Sequence, residues 1–402
     1  MKKIFFIITA LLPLFYVSCK NETSVNDGII SSSAGLNVAN VNGEAWTDTE
    51  GNIIQSHDGI IKWQGKYYWY GIDYSHNLVN TGSDGNGFRA VKCYESEDLV
   101  NWKFKNNVLT ANSSICLNQC DINNVRVVYN KNTGKFVMWM GYNTTFMHST
   151  SLSLWTLRST HNKLYLNANL CATANSPYES FDVQNSFFYV NGGAAVTSLF
   201  VDDDGTGYCM DWANYNNSWR LYINKLSDDF LSVESNTALL FPETYIGRTA
   251  IVKHNGYYYL FGAAFEGELD GGANSMSSAD GWLDYHFTYF DYYRDSSVSV
   301  PKSYSGVRYC FAESLSGEWS GLLSLGKDYA DYEFSDVIKV QGTDEVNYIL
   351  TFNKWNTSDL SSSGYLWQPL MFAKETETFS RPYVADCSKI TINAEKGTVK
   401  AE

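Results

Sequence analysis

The chain has 402 residues, of which 44% are hydrophobic and 16% aromatic, and its formal net charge is −14. This length accommodates one large domain or two ordinary ones. The excess of acidic residues argues against nucleic-acid binding, because a phosphate backbone attracts a basic surface. The 29 Tyr and 12 Trp residues suit a large β-core. They also suit sugar binding, in which flat rings stack on pyranose faces.

The first 19 residues have the pattern of an export signal. Lys2 and Lys3 precede an apolar stretch over residues 4–17, which has the length of a signal peptide rather than of a membrane span. The small residue Ser18 before Cys19 resembles a bacterial lipobox, which implies a lipidated Cys19 after cleavage. An ordinary signal peptide with an incidental cysteine is the alternative. Residues 20–40 are polar and Ser/Asn-rich, which predicts a flexible tether before a domain over residues 41–402.

Five segments of this domain repeat one pattern: an apolar β-branched run, a tight turn with Gly, and a run of alternating aromatic residues. The copies are Gly59–Gly71, Val127–Met140, Leu199–Trp212, Ile251–Ala263 and Val337–Trp355. The pattern indicates antiparallel hairpins, because Gly or Asn accepts the positive φ of a hairpin turn. Each interval between turns holds one four-stranded blade of about 40–50 residues plus loops. An all-β, five-bladed β-propeller is therefore predicted, and two β-sandwich domains are the alternative.

The sequence contains eight cysteines and leaves their pairing open. Removal of Cys19 leaves seven, so at least one stays free or pairs between chains. Cys116 and Cys120 are the only pair close in sequence, and an exported protein can form disulfides. Three cysteines lie in strand-like runs and are expected to be buried thiols: Cys93, Cys209 and Cys310. No Cys or His spacing resembles a zinc site.

Several short motifs follow one another between about residues 45 and 372. They are DTEGN (48–52), SHDGII (56–61), GKYYWYG (65–71), YESEDLVNW (94–102), LFVDDDG (199–205) and YLWQPL (365–370). Together they resemble glycoside hydrolase family 43, most closely its exo-β-1,3-galactanase branch. The resemblance implies a five-bladed propeller, in agreement with the hairpin count, and inverting cleavage of a glycosidic bond. In that reaction an acid and a base, both carboxyl groups, stand about 6.5–9.5 Å apart.

The sequence departs from this family at the expected catalytic positions. Gly247 stands where the resemblance places the acid, and Val196 stands where it places the aspartate that tunes the pKa of the acid. Asn123 replaces a third glutamate. His57 stands at the general-base position of the wider family, although the galactanase branch also has histidine there. The glutamine that this branch is proposed to use falls near Glu333.

Two functions of different classes remain. The first is glycan binding in the axial pocket without cleavage, which the missing carboxylates favour. The second is an active inverting exo-glycosidase, of galactanase, galactosidase or arabinofuranosidase type, with a relocated acid and base. The substitute carboxylates for the second function are Glu243, Glu333 and Asp58.

Candidate sugar-binding residues combine aromatic rings with hydrogen-bonding groups. They are His57, Asn123, Arg126, Trp212, Arg248, Trp282 and Trp355, although packing between blades must claim most of the aromatic residues. No cofactor is expected, except that the family resemblance implies a structural cation near His57; a satisfied core histidine is the alternative there. The expected ligand is a plant-type oligo- or polysaccharide. We expect a monomer that contacts the membrane only through its lipid anchor, at the outer membrane, facing the periplasm or the cell surface.

Overall fold

The computed structural model describes residues 41–75, 88–118, 120–146, 158–160, 163–188, 196–215, 218–240, 246–265, 304–327, 329, 332–356, 358–376 and 379–402. The predicted signal peptide, the tether and the lipidated Cys19 lie outside these residues and stay predictions. Within the described ranges, no helix is long and apolar enough to span a membrane.

Five antiparallel sheets follow one another along the described chain, and each begins with its innermost strand. Blade 1 contains β1 (Ile60–Trp63), β2 (Lys66–Ile72), β3 (Ala90–Ser96) and β4 (Lys103–Thr110). Blade 2 contains β5 (Asp121–Asn130), β6 (Lys135–Phe146), β7 (Arg158–Thr160), β8 (Lys163–Ala174) and β9 (Asp182–Phe188), with both β7 and β9 paired to β8. Blade 3 contains β10 (Val196–Val201), β11 (Gly207–Tyr215), β12 (Ser218–Leu226) and β13 (Val233–Leu240).

The last two blades and a terminal hairpin complete the described strands. Blade 4 contains β14 (Ile246–His254), β15 (Tyr257–Phe265), β16 (Tyr304–Ala312) and β17 (Leu323–Ser324). Blade 5 contains β18 (Glu333–Gln341), β19 (Val346–Lys354), β20 (Gly364–Lys374) and β21 (Ser380–Val384). The terminal hairpin is β22 (Ile390–Asn393) with β23 (Thr398–Ala401). Two single 3₁₀ turns, Ile115–Leu117 and Leu360–Ser362, interrupt the loops.

The innermost strands form a closed ring. Strand β1 contacts both β5 and β18, β5 contacts β10, β10 contacts β14, and β14 contacts β18. Five sheets arranged radially around such a ring are a five-bladed β-propeller, so the predicted fold class is confirmed. Because every blade begins at its inner strand, the first residues of these five strands meet at one end of the central axis.

The five predicted hairpins are the first two strands of each blade. The turn Gln64–Gly65 has φ values of 48° and 82°, and Asn255–Gly256 has 49° and 83°. Two positive values in succession match the twist of the flanking strands. Gly342 in the fifth hairpin turn is different, because its φ is not positive. A Cβ atom there would lie 2.0 Å from the backbone nitrogen of Gly397, so this glycine is required by the close approach of the β22–β23 hairpin.

The segment before β1 joins the two ends of the propeller. The backbone nitrogen of Gly43 donates to the carbonyl of Tyr365 on β20 at 2.6 Å, and Tyr365 donates back to Glu44 at 3.1 Å. Trp46 is fully buried, with its ring centroid 4.9 Å from Trp367 and 6.1 Å from Trp69. These contacts between blades 1 and 5 fix the following residues at the axis of the ring.

The described cysteines form no disulfide; all seven are free. Cys93, Cys209 and Cys310 are fully buried, so the prediction of buried thiols is confirmed. Burial raises the pKa of each of these three thiols, which makes them poor nucleophiles.

Candidate axial site

Four of the five inner strands carry a register irregularity close to their first residues. These irregularities lie between Asn123 and Arg126, Val196 and Ser198, Ile246 and Thr249, and Phe334 and Asp336. A bulge changes the direction in which the neighbouring side chains point, and bulges are common beside functional sites. The fifth inner strand, β1, is preceded by His57 and Asp58. Polar side chains from several blades therefore converge at this end of the axis.

The guanidinium group of Arg248 joins two buried carboxylates. Its Nη1 lies 3.0 Å from Oδ1 of Asp58, and its Nε lies 3.1 Å from Oε1 of Glu333. The side chains of Asp58 and Glu333 are only 3% and 4% exposed. Charge-assisted hydrogen bonds of this kind are strong in a buried setting, so the three side chains form one bridged unit across blades 1, 4 and 5.

A second guanidinium group, that of Arg126, lies next to Asp58 of this unit. Its side chain is 4% exposed, and its Nη1 is 3.7 Å from Oδ1 of Asp58. Its Nη2 donates to the carbonyl of Ser335 at 2.8 Å. Desolvation lowers the pKa of Arg126, but an arginine stays charged in proteins. Two guanidinium groups thus supply positive charge beside the position where a structural cation was predicted. Among the described residues, no group of three or more Cys, His, Asp or Glu could hold a metal ion.

Burial also acts on the carboxylates of this cluster. Desolvation raises the pKa of Asp58, and the positive charges of Arg248 and then Arg126 oppose that rise. Desolvation raises the pKa of Asp336 in the same way, with Arg126 as the main opposing charge. The cluster therefore combines three carboxyl groups with two guanidinium groups in a setting that penalises any unpaired charge.

His57 is held rigidly and is 2% exposed. Its ring stacks on Tyr365 at a centroid distance of 4.7 Å, and its Nδ1 lies 3.4 Å from Oδ1 of Asn353. Its carbonyl accepts hydrogen bonds from Arg248 at 3.1 Å, from Ser335 at 3.0 Å and from Asn353 at 2.9 Å. Burial lowers the pKa of His57 to about 3, so the imidazole is neutral at physiological pH.

Two half-buried aromatic rings lie next to the axial cluster. The indole of Trp355 lies 4.7 Å from the His57 ring and 5.6 Å from the ring of Tyr74. Its Nε1 donates to Oε2 of Glu333 at 2.8 Å. Trp355 and Tyr74 are both partly exposed. They place aromatic surface next to the buried polar cluster, which is a combination that suits a sugar ring with its apolar face and its hydroxyl groups.

A comparison with protein families agrees with this geometry. The family model described as "Glycosyl hydrolases family 43" matches residues 55–283, which is more than half of the 402 residues. The chain belongs to glycosyl hydrolase family 43. No protein with a curated description matches the sequence.

Two solved structures of exo-β-1,3-galactanases resemble the chain over most of its length. The exo-β-1,3-galactanase of Clostridium thermocellum is 27% identical, with a TM-score of 0.65, and the match covers 90% of this chain and 68% of that one. A variant of the exo-β-1,3-galactanase of Phanerochaete chrysosporium, solved with β-1,3-galactotriose, is 24% identical, with a TM-score of 0.64 and coverages of 90% and 70%. The second likeness supports the fold alone.

The family 43 propeller brings six predicted residues into one cluster: His57, Asp58, Arg126, Arg248, Glu333 and Trp355. Asn123 lies on β5, three residues before Arg126, and its Oδ1 is buried without a hydrogen-bond partner in the described part of the chain. Val196 and Gly247 lie on inner strands β10 and β14 and bring no ionisable group.

Three predicted residues cannot be placed in the site. Glu243 and Trp282 lie outside the described residues. Trp212 lies on β11, but the structure describes only its backbone. Conversely, sequence reasoning missed Asn353 and Ser335, which both donate to the carbonyl of His57. Asn353 lies near the end of β19, two residues before the predicted Trp355, but a single Asn at a strand end is too common in sequences to indicate a site.

Proposed function

We propose that this family 43 propeller binds galactose-containing β-1,3-linked oligosaccharides in its axial pocket without cleaving them. Its membership of the family supports action on glycans. The 27% identical structure is that of an exo-β-1,3-galactanase, which supports galactosyl chains as the ligand. In this proposal the protein serves the use of plant-type glycans, such as β-1,3-galactan and arabinogalactan, as a glycan-binding member of an enzyme family.

The observation that carries the proposal is the position of Arg248. An inverting glycosidase needs two carboxyl groups about 6.5–9.5 Å apart, with the sugar and a water molecule between them. Here the guanidinium group of Arg248 bonds both Asp58 and Glu333, so it fills the space between the two carboxylates that the sequence offers as substitutes. Val196 and Gly247 add no carboxyl group at the positions that the family resemblance assigns to catalysis.

The same pocket retains the features that a sugar needs for binding. The partly exposed rings of Trp355 and Tyr74 offer apolar faces at the mouth. Asn123 lies on the inner strand β5, and its Oδ1 has no hydrogen-bond partner within the described residues. That oxygen is itself buried, so a sugar hydroxyl reaches it only if neighbouring side chains move. The hydrogen bond from Trp355 to Glu333 keeps the indole in place before the ligand arrives.

One observation favours the second candidate function, hydrolysis with a relocated acid and base. Burial raises the pKa of Asp58, and a general acid must hold its proton near neutral pH. In that case Asp58 protonates the leaving oxygen and Glu333 activates water, which requires Arg248 to leave its bridging position. Glu243 is the other substitute for the acid.

A release experiment separates the two functions. Protein without residues 1–19 is incubated at high concentration with β-1,3-galactan, arabinogalactan and β-1,3-galactobiose, and free galactose and arabinose are quantified. The control is the Glu243→Gln, Glu333→Gln double variant. We expect oligosaccharide binding with no release above the control. Release that disappears in the double variant would show a relocated catalytic pair and would refute the binding-only function.

We also propose that the protein is a monomer anchored in the outer membrane through lipidated Cys19, facing the periplasm or the cell surface. The basic start, the apolar stretch and the small residue before Cys19 support this location. In cells fed a labelled fatty acid, the wild type should carry the label and sediment with membranes, and a Cys19→Ala variant should do neither. An unlabelled wild type would contradict the anchor, and protease treatment of intact cells distinguishes the two faces.

A further inference from the structure

A second cleft lies beside blade 1, apart from the axial pocket. It has a volume of about 380 Å³, which is within the range of roughly 300–1,000 Å³ that is usual for small-molecule sites. It lies between the segment before β1, the strands β3 and β4, and the loop after β19. Its lining includes Asp48, Asn52, Ile53, Lys92 and Phe104.

The lining of this cleft has the composition that a neutral sugar chain requires. Phe104 and Ile53 are 37% and 40% exposed, so they present apolar surface to solvent, and Nζ of Lys92 lies 5.9 Å from the centroid of the Phe104 ring. Asn52 adds an amide, and Ser75 and Ser361 add hydroxyl groups that can exchange hydrogen bonds with a ligand. The lining has one carboxylate, Asp48, and one ammonium group, Lys92, so it favours neither a cationic nor an anionic ligand.

Gln55 connects the cleft to the axial cluster that contains His57. Gln55 lines the cleft, is 2% exposed and precedes His57 by two residues. Its Nε2 donates to the carbonyl of Ser361 at 2.6 Å, and its Oε1 accepts from the backbone nitrogen of Tyr74 at 3.1 Å. The ring of Tyr74 lies 5.6 Å from the ring of Trp355, which contacts His57 and Glu333 of the axial cluster. The same two loops therefore border both sites.

We propose that this cleft, which we call the blade 1 cleft, is a second glycan subsite. It binds the neutral sugar units that follow the unit held in the axial pocket, with Phe104 as the stacking platform. The proposal rests on the proposed function, because it assigns the outer part of the same ligand. In this proposal a ligand that spans both sites contacts Tyr74 and Trp355, whose rings are partly exposed and lie 5.6 Å apart.

Calorimetric titration of galactose, β-1,3-galactotriose and longer β-1,3-galactooligosaccharides tests this proposal. The variants are Phe104→Ala for the cleft and Trp355→Ala for the axial pocket. Tyr383→Ala is the matched control, because Tyr383 is an aromatic residue of similar exposure, 39%, on the outer strand of blade 5. We expect Phe104→Ala to weaken the longer ligands about five- to tenfold and to leave galactose unchanged. Tyr383→Ala should match the wild type with every ligand.

The outcomes distinguish failure of the cleft from failure of the axial pocket. Equal affinities in Phe104→Ala and the wild type would overturn the subsite and leave the axial function intact. An equal loss for galactose and for longer ligands would also overturn it, because the cleft would then be an independent site. Oligosaccharide binding that survives in Trp355→Ala but is lost in Phe104→Ala would refute the axial pocket instead. A wild type that binds no ligand would refute both. Unfolding curves of each variant confirm that it is folded.

Discussion

Replacement of Arg248 by methionine probes the electrostatic centre of the axial pocket. Methionine keeps an apolar side chain in place of the arginine stem and removes the guanidinium group. Asp58 and Glu333 then lose a donor at 3.0 and 3.1 Å while their side chains remain 3% and 4% exposed. Removal of one partner from a buried ion pair costs about 3–5 kcal/mol, because the remaining charge is buried without compensation.

The expected loss lies at the lower end of that range. Asp58 retains Arg126 at 3.7 Å, and Glu333 retains the indole nitrogen of Trp355 at 2.8 Å. We therefore expect Arg248→Met to reduce the free energy of unfolding by about 3 kcal/mol at pH 7. Loss of the guanidinium group raises the pKa of Asp58 further in the variant, since that charge is the main force opposing the effect of burial. Protonation relieves the cost, so the difference from the wild type should narrow as the pH falls toward 4.5.

Urea unfolding followed by circular dichroism at pH 7 and pH 4.5 measures this effect. Arg381→Met is the matched control, because Nε of Arg381 lies 2.8 Å from Oε1 of Glu375 but the arginine side chain is 57% exposed. We expect little change in the control, since solvent screens an exposed pair. If Arg248→Met were as stable as Arg381→Met at pH 7, the buried bridge would not hold the pocket together.

Three further predictions concern other parts of the structure. The pKa of His57 is about 3 in the folded chain and about 6.5 in the unfolded chain, so the unfolded state binds more protons as the pH falls. This residue alone should lower the free energy of unfolding of the wild type by about 2 kcal/mol between pH 7 and pH 5. Urea unfolding of the wild type and of His57→Gln should show this difference, and parallel pH profiles would contradict it. Gly71→Ala should lower both the stability of the protein and its affinity for the glycan, because the new Cβ would lie 2.4 Å from Cα of Ser56. Gly321→Ala should leave both unchanged, because its Cβ would meet nothing within 4 Å. Equal stability and affinity in the two variants would argue against tight packing behind His57. In the native state a thiol reagent should label the half-buried Cys116 before the fully buried Cys93, as peptide mass spectrometry can determine, and the reverse order would be inconsistent with the burial of β3.

Much of the fold could be predicted because its signals are local. Gln64–Gly65 and Asn255–Gly256 carry the turn residues that fix a hairpin between two adjacent strands, and repetition of that signal indicates the number of blades. Other features depend on distant residues and leave no local trace. Gly342 is required by contact with Gly397, far along the chain. The additional strand of blade 2, β7, pairs with the first residues of β8 and has no counterpart in the other blades.

The site could be predicted residue by residue but not as an arrangement. The family resemblance located Asp58 and Glu333, and polar character selected Arg248. The bridge that joins them spans 190 residues between Arg248 and Asp58, and no spacing along the sequence indicates which carboxylates an arginine will meet. For the same reason sequence reasoning missed Asn353, whose partner His57 lies 296 residues away.

The most direct test of the central claim measures binding and cleavage in one sample. The wild type and Trp355→Ala are titrated with β-1,3-galactotriose in a calorimeter, and each solution is then analysed for products by chromatography after prolonged incubation. We expect the wild type to bind the trisaccharide and return it intact, and we expect Trp355→Ala to bind it more weakly because it lacks the ring at the mouth of the pocket. Galactose and galactobiose in the wild-type sample, or affinities that are the same for both proteins, would contradict a non-hydrolytic glycan site at the propeller axis.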